Sequence, residues 1–282
     1  MCAASQRGEA GPEQGRPNSV TTTGGVPEAL IRHIVIVVAA SMATGIVVGG
    51  LGSRLVMFFS RIFAVDIAIG RLTENGNRIG EFTVAGTLEL VIFVGIFAGL
   101  ITAPMYFVAE PWIAWARGGR GLMFGLLLLS VGGSVVLAPG NRDFAIVERQ
   151  ALNVAMFIVL FLVFGVVVAW LVSWLGRRLP PARGTAPTAT YLGLAVLGGI
   201  LVVLVLLGSA SGCEGCTPGA PLLAVLVGLM AVATVAWWYV RINPQASSRL
   251  DTTAIYVGHG AFALILIGGG VRLVQHVLDI IP

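Results

Sequence analysis

The chain has 282 residues, of which 57% are hydrophobic, 11% charged and 38 are glycine, with a formal charge of +4. A soluble domain of this length would carry roughly a quarter charged residues, so composition excludes an ordinary soluble fold. It also excludes intrinsic disorder and a disulfide-stapled secreted miniprotein, because the apolar fraction is too high and the cysteines are Cys2, Cys213 and Cys216 alone. What remains is an all-α, polytopic integral membrane protein. All 17 basic residues are arginine, a bias expected of a GC-rich bacterial genome. They are scattered between apolar segments, which is not the basic stripe of a nucleic-acid surface.

The first 28 residues contain Pro12, Pro17, Pro27 and a threonine run without hydrophobic periodicity, and read as a disordered cytoplasmic tail. No clear cleavage site precedes Arg54, so the first span reads as an uncleaved anchor. A helix needs about 20 apolar residues to cross a hydrocarbon core of about 30 Å. Seven segments meet that length: about 31–51, 84–108 (loosened near Pro104), 121–138, 151–176, 191–209, 222–240 and 253–271. The Pro- and Arg-rich linker 177–189 divides them into a four-span unit (29–176) and a three-span unit (190–282).

Orientation follows from two signals. Ten arginines precede span one or follow spans two, four and six, against seven on the other side. The positive-inside rule then makes the N-terminus cytoplasmic and, with seven spans, the C-terminus extracytoplasmic, in the plasma (inner) membrane. All six tryptophans, Trp112, Trp115, Trp170, Trp174, Trp237 and Trp238, fall at the ends of those same even-numbered spans. One topology therefore gathers them into a single aromatic belt beside the arginines.

The longest outer connection, 52–83, begins with an amphipathic stretch, Ser53 to Asp66. Ser53, Arg54, Ser60 and Arg61 share one stripe of it. It either lies in the interface or extends span one, and Gly49, Gly50 and Gly52 favour a bend or a close helix contact at the junction. An Asn-Gly turn at Asn75-Gly76 follows, with flanks able to pair as a hairpin. Glu89 sits about one and a half turns inside span two, where a carboxylate needs a partner or water. Arg54 and Arg61 reach the same face, as do Arg142, Asp143, Glu148 and Arg149 of the next outer loop. These seven residues form a candidate outer-face cluster, read either as a ligand site or as charge pairs anchoring helix ends.

Cys213 and Cys216 lie two residues apart in an outer loop, where they would close a small structural disulfide or act as a redox pair. Thr217 to Pro221 separate them from the next helix, which withdraws the N-terminal assistance a catalytic thiol uses, and a zinc site lacks a second pair of ligands. His33 and His259 start spans one and seven and read as locally bonded helix-end histidines; His276 follows span seven. No haem, metal or other cofactor is expected, and no nucleotide-cradling, zinc-protease or nucleophile-elbow motif is present. Gly45 and Gly49, Gly95 and Gly99, and Gly268 to Gly270 predict close helix contacts, within the chain or to a second copy or membrane partner. Besides the lipid bilayer, no partner is specified. The expectation is a non-enzymatic permeation, binding or assembly component using its outer face, with a membrane thiol-disulfide oxidoreductase at Cys213 and Cys216 as the alternative.

Overall fold

The computed structural model describes residues 26–62, 84–133, 136–137, 150–180, 188–198, 200, 220–243 and 245–281. Among these the protein is 96% helical with no strand. Helix α1 (Val26–Thr44) passes through a π-type turn, Gly45–Leu51, directly into α2 (Gly52–Ile62). Helix α3 (Val84–Glu89) passes through a second such turn, Leu90–Ile96, into α4 (Phe97–Ile113). After a 3-10 segment, Ala114–Gly119, come α5 (Arg120–Leu128) with a π-type turn at Leu129–Gly133, then α6 (Gln150–Arg178). The short apolar α7 (Thr188–Gly198) precedes α8 (Ala220–Ile242) and α9 (Ser248–Ile280).

Five helical runs are long and apolar enough to cross a membrane: Glu28–Val56, Val94–Gly133, Gln150–Arg178, Leu222–Ile242 and Ser248–Ile280. The expected count was seven, and the second run shows part of the reason for the difference, because its 40 residues fold back on themselves. Tyr106 and Phe124 would stand about 27 Å apart on one straight helix, yet their ring centroids are 4.9 Å apart, edge to face. The reversal occurs at Arg117, whose φ of 45° leaves the helical region. An arginine there is strained, and the adjacent Gly118 and Gly119 complete a turn that Arg120 secures by donating to the Ala114 carbonyl at 3.2 and 3.3 Å. Of the expected fifth span, only α7 and residue 200 lie within the described residues.

The 53–66 stretch, so far as it is described, extends the first helix. Gly52 has ordinary helical angles, φ −63° and ψ −41°, so the three glycines serve a close contact rather than a bend. The Asn75-Gly76 hairpin lies outside the described residues. The helix also continues through Pro104 and Pro111. Its departure from α geometry lies earlier, at Leu90–Ile96, where it faces the π-type turn of the first helix.

Glycine sets these contacts. A Cβ on Gly99 would sit 2.7 Å from the Ser41 carbonyl oxygen, and one on Gly95 would sit 2.9 Å from that of Gly45. Lipid supplies no hydrophobic drive between helices, so van der Waals contact at near-backbone separation holds the antiparallel pair. The predicted Gly45, Gly95 and Gly99 faces are therefore used inside the chain. Of the Gly268–Gly270 run, only Gly269 meets a neighbour among the described residues, Ser130; none of them lies within 4 Å of a Cβ on Gly268 or Gly270.

Helices α5 and α6 pack antiparallel, with Gly121 against Val166 and Gly125 against Leu162 and Gly165. Helix α9 runs beside α5, placing Gly258 against the Trp112 ring and Gly269 against Ser130. The buried core at their junction includes Ile36, Trp112, Phe124, Leu127, Val168, Met230 and Ile265. Outward-facing Val232, Val235, Ile267 and Leu278 are each more than 60% exposed, an apolar exterior suited to contact with a lipid bilayer.

Candidate functional site

The polar contacts of the described bundle concentrate at one end, which holds the start of α1, the end of α4, the start of α5, the ends of α6 and α8, and the start of α9. Arg32 and His33 enter it from α1. Arg32 Nη2 donates to the carbonyls of Gly176 (2.8 Å) and Leu179 (2.7 Å), and Nε to that of Pro180 at 3.0 Å. The last carbonyls of α6 have no intrahelical donors, so a cation there satisfies them and opposes the helix dipole. The Tyr191 hydroxyl donates to the same Pro180 oxygen at 2.9 Å. The beginning of the Pro-rich linker is thus tied down from both sides.

His33 Nε2 stands 2.5 Å from Glu110 Oε2, joining α1 to α4 across 77 residues of sequence. With the carboxylate ionised that oxygen can only accept, so Nε2 carries the hydrogen. The imidazole is boxed by two further rings: Phe107 at 6.0 Å and Trp238 at 6.4 Å, themselves parallel within 3° at 6.1 Å. His33 and Glu110 are 25% and 26% exposed, so solvent screens the pair. In a double-mutant cycle of His33→Ala and Glu110→Gln, thermal unfolding is expected to give a coupling of about 1 kcal/mol. Strictly additive losses would mean the contact contributes nothing.

A second network lies deeper. Trp112 is buried, with 1% exposed. Its indole Nε1 donates to Thr234 Oγ1 at 3.0 Å, and the Thr234 hydroxyl in turn shares its proton between the carbonyls of Val108 (2.8 Å) and Met230 (2.9 Å). His259 stands edge-on to Trp112, its centroid 5.4 Å away, with Nδ1 2.9 Å from the Ile255 carbonyl. Helices α4, α8 and α9 meet at this one residue.

The expected positions fare unevenly. All six tryptophans belong to this end, but Trp112 is a core residue rather than part of a belt. Trp115, Trp170 and Trp174 are exposed, at 63%, 57% and 38%. His259 bonds locally as expected, whereas His33 does not, because its partner lies on another helix. Glu110 was not foreseen as a site residue: it stands two residues beyond the expected end of span two, where it resembled a loop charge. Pairing the two ends that the topology places on one face would have exposed an acid and a histidine at matched depth.

At the opposite end, Gly50 abuts Val91, so the backbones carrying Arg54 and Glu89 lie at the same end of the α1–α4 pair. Arg54 is half-buried and has a partner. The side chains of Arg61 and Glu89, and residues Arg142, Asp143, Glu148, Arg149, Cys213 and Cys216, lie outside the described part. No group of histidine, cysteine and acidic residues able to hold a metal occurs among the described residues. The chain matches no protein-family model, no curated protein and no solved structure.

Proposed function

We propose that this is a seven-span membrane protein with a cytoplasmic N-terminus, a four-span front and a three-span back joined by the 177–189 linker, and that it works by binding or assembly at the membrane surface rather than by catalysis or permeation. The observation that carries this reading is the distribution of polar groups. At mid-depth the helices approach to backbone contact at Gly45, Gly95 and Gly99, and the buried Thr44 and Thr102 hydroxyls bond to carbonyls of their own helices, at 2.8 and 3.0 Å. Inter-helix polar chemistry gathers instead where Arg32, His33, Glu110 and the tryptophans stand. The seven-span count is supported by the Arg117 reversal and by the alternation of helix starts and ends at that face.

The alternative outer site of Arg54, Arg61, Glu89, Arg142, Asp143, Glu148 and Arg149 occupies the opposite face, and a Cys213–Cys216 bond would brace it. Two measurements test the reading. Single cysteines at Arg177 and Arg249, in a background lacking the native cysteines, are expected to react with impermeant maleimide only in inverted vesicles; labelling in right-side-out vesicles reverses the orientation. Proteoliposomes are expected to leak protons and small ions no faster than protein-free ones, and a reproducible flux lost in Glu110→Gln would replace binding with permeation.

A further inference from the structure

A tryptophan followed four residues later by an arginine recurs in the last turns of α6 and α8: Trp174 with Arg178, and Trp237 with Arg241. That spacing brings the two side chains together on one helical face. The guanidinium carbon lies 5.5 Å from the Trp174 ring centroid and 4.0 Å from that of Trp237. On α6 the stack continues to Trp170, at 6.3 Å and 22° from Trp174. Both α6 indoles are exposed.

Four arginines at this end fall into two groups. Arg32 and Arg120 spend their donors on backbone carbonyls. Arg178 and Arg241 are exposed and make no hydrogen bond or ion pair with the described residues. Glu110 is taken by His33. Stacking occupies the face of a guanidinium and leaves its in-plane N–H fork available. Such a fork matches two oxygens of a phosphate. An indole beneath it partitions to the depth of the lipid glycerol and headgroup, where phosphodiesters are the abundant acceptors. Arg177 and Arg249 add positive charge to the same face, which repels the ammonium of a zwitterionic headgroup and favours a lipid with net negative charge.

We propose that the Trp174–Arg178 and Trp237–Arg241 pairs are receptors for the phosphodiester of anionic phospholipids, one on each of two helices at the tryptophan-rich end. The proposal rests on this end lying at a bilayer surface, which depth-dependent quenching of the tryptophans by doxyl-labelled lipids reads separately. The test uses the full chain in nanodiscs of phosphatidylcholine with one fifth phosphatidylglycerol, followed by native mass spectrometry of the lipids retained on release. The wild type is expected to retain phosphatidylglycerol above its bulk share, and Arg178→Gln/Arg241→Gln to fall back to about that bulk share. Arg249→Gln, which removes a charge from the same face without a stacked indole, is expected to keep it. Arg178→Lys/Arg241→Lys preserves charge and is expected to fall between; its retention of helical circular dichroism guards against reading misfolding as lost binding. No enrichment in the wild type overturns the proposal, as does an equal loss in Arg249→Gln, which would mean general surface charge. Displacement of phosphatidylglycerol by millimolar inorganic phosphate would overturn it in favour of a free-phosphate site.

Discussion

Gly165→Leu is expected to yield almost no folded protein, and Gly165→Ala to lower stability by about 1–3 kcal/mol, the range for overpacking a tight contact. A Cβ there would lie 2.5 Å from both the Gly121 carbonyl oxygen and the Gly125 Cα. Those are backbone atoms, so no side-chain rotation relieves the clash. Relief requires α5 and α6 to separate, which opens the van der Waals contact that holds them in lipid. A total stability of about 5–15 kcal/mol leaves little room for a side chain larger than alanine. Gly260 is the control, since none of the described residues lies within 4 Å of a Cβ on it. Gly260→Ala is expected to be neutral, or stabilising by up to about 1 kcal/mol through helix propensity. Thermal unfolding in detergent, followed by fluorescence-detected size exclusion, separates the variants. Equal losses at both sites would defeat the close-packing account.

Trp112→Ala is the second large effect, at about 3–5 kcal/mol. The cavity would open between three helices at once, because the ring touches Gly258 of α9, stands against His259 and bonds to Thr234 of α8. Trp112→Phe keeps most of the ring and loses the indole donor. Thr234 still donates to a carbonyl, so no buried group is orphaned and the cost is expected near 1 kcal/mol. That contrast distinguishes packing from hydrogen bonding. If phenylalanine were as damaging as alanine, the hydrogen-bond network rather than ring volume would dominate, and Thr234→Val would then reproduce the whole loss.

Several features could be read before any fold was in view because they depend on composition along one helix. Apolar length placed the spans near Gln150–Arg178, Ala220–Ile242 and Ser248–Ile280, since a helix satisfies its own backbone and each residue adds a fixed rise. The tryptophans shared an end because alternating passes return to the same face. Local bonding of His259 followed from its place in a helix. Gly45, Gly95 and Gly99 were identified as contact residues from their spacing alone.

The His33 contact is not legible along one helix, because its partner is 77 positions away and a histidine at a helix start has local partners available. Glu110 fell in what read as a connection, although the helix runs on to Ile113. Trp112 looked like its five counterparts, and only burial separates it from them. The sequence alone does not decide how α1 continues into α2, because glycine permits both a bend and a close contact, and the facing helix decides between them.

Composition and periodicity by themselves determined that this chain is a helical membrane protein and which of its residues belong to apolar helices, because those properties follow from the cost of an unsatisfied backbone in hydrocarbon. The tertiary structure alone decided that 94–133 turns back at Arg117, that the glycine faces close on one another within the chain, and that His33 meets Glu110. Those outcomes depend on distances between helices, which no single helix encodes.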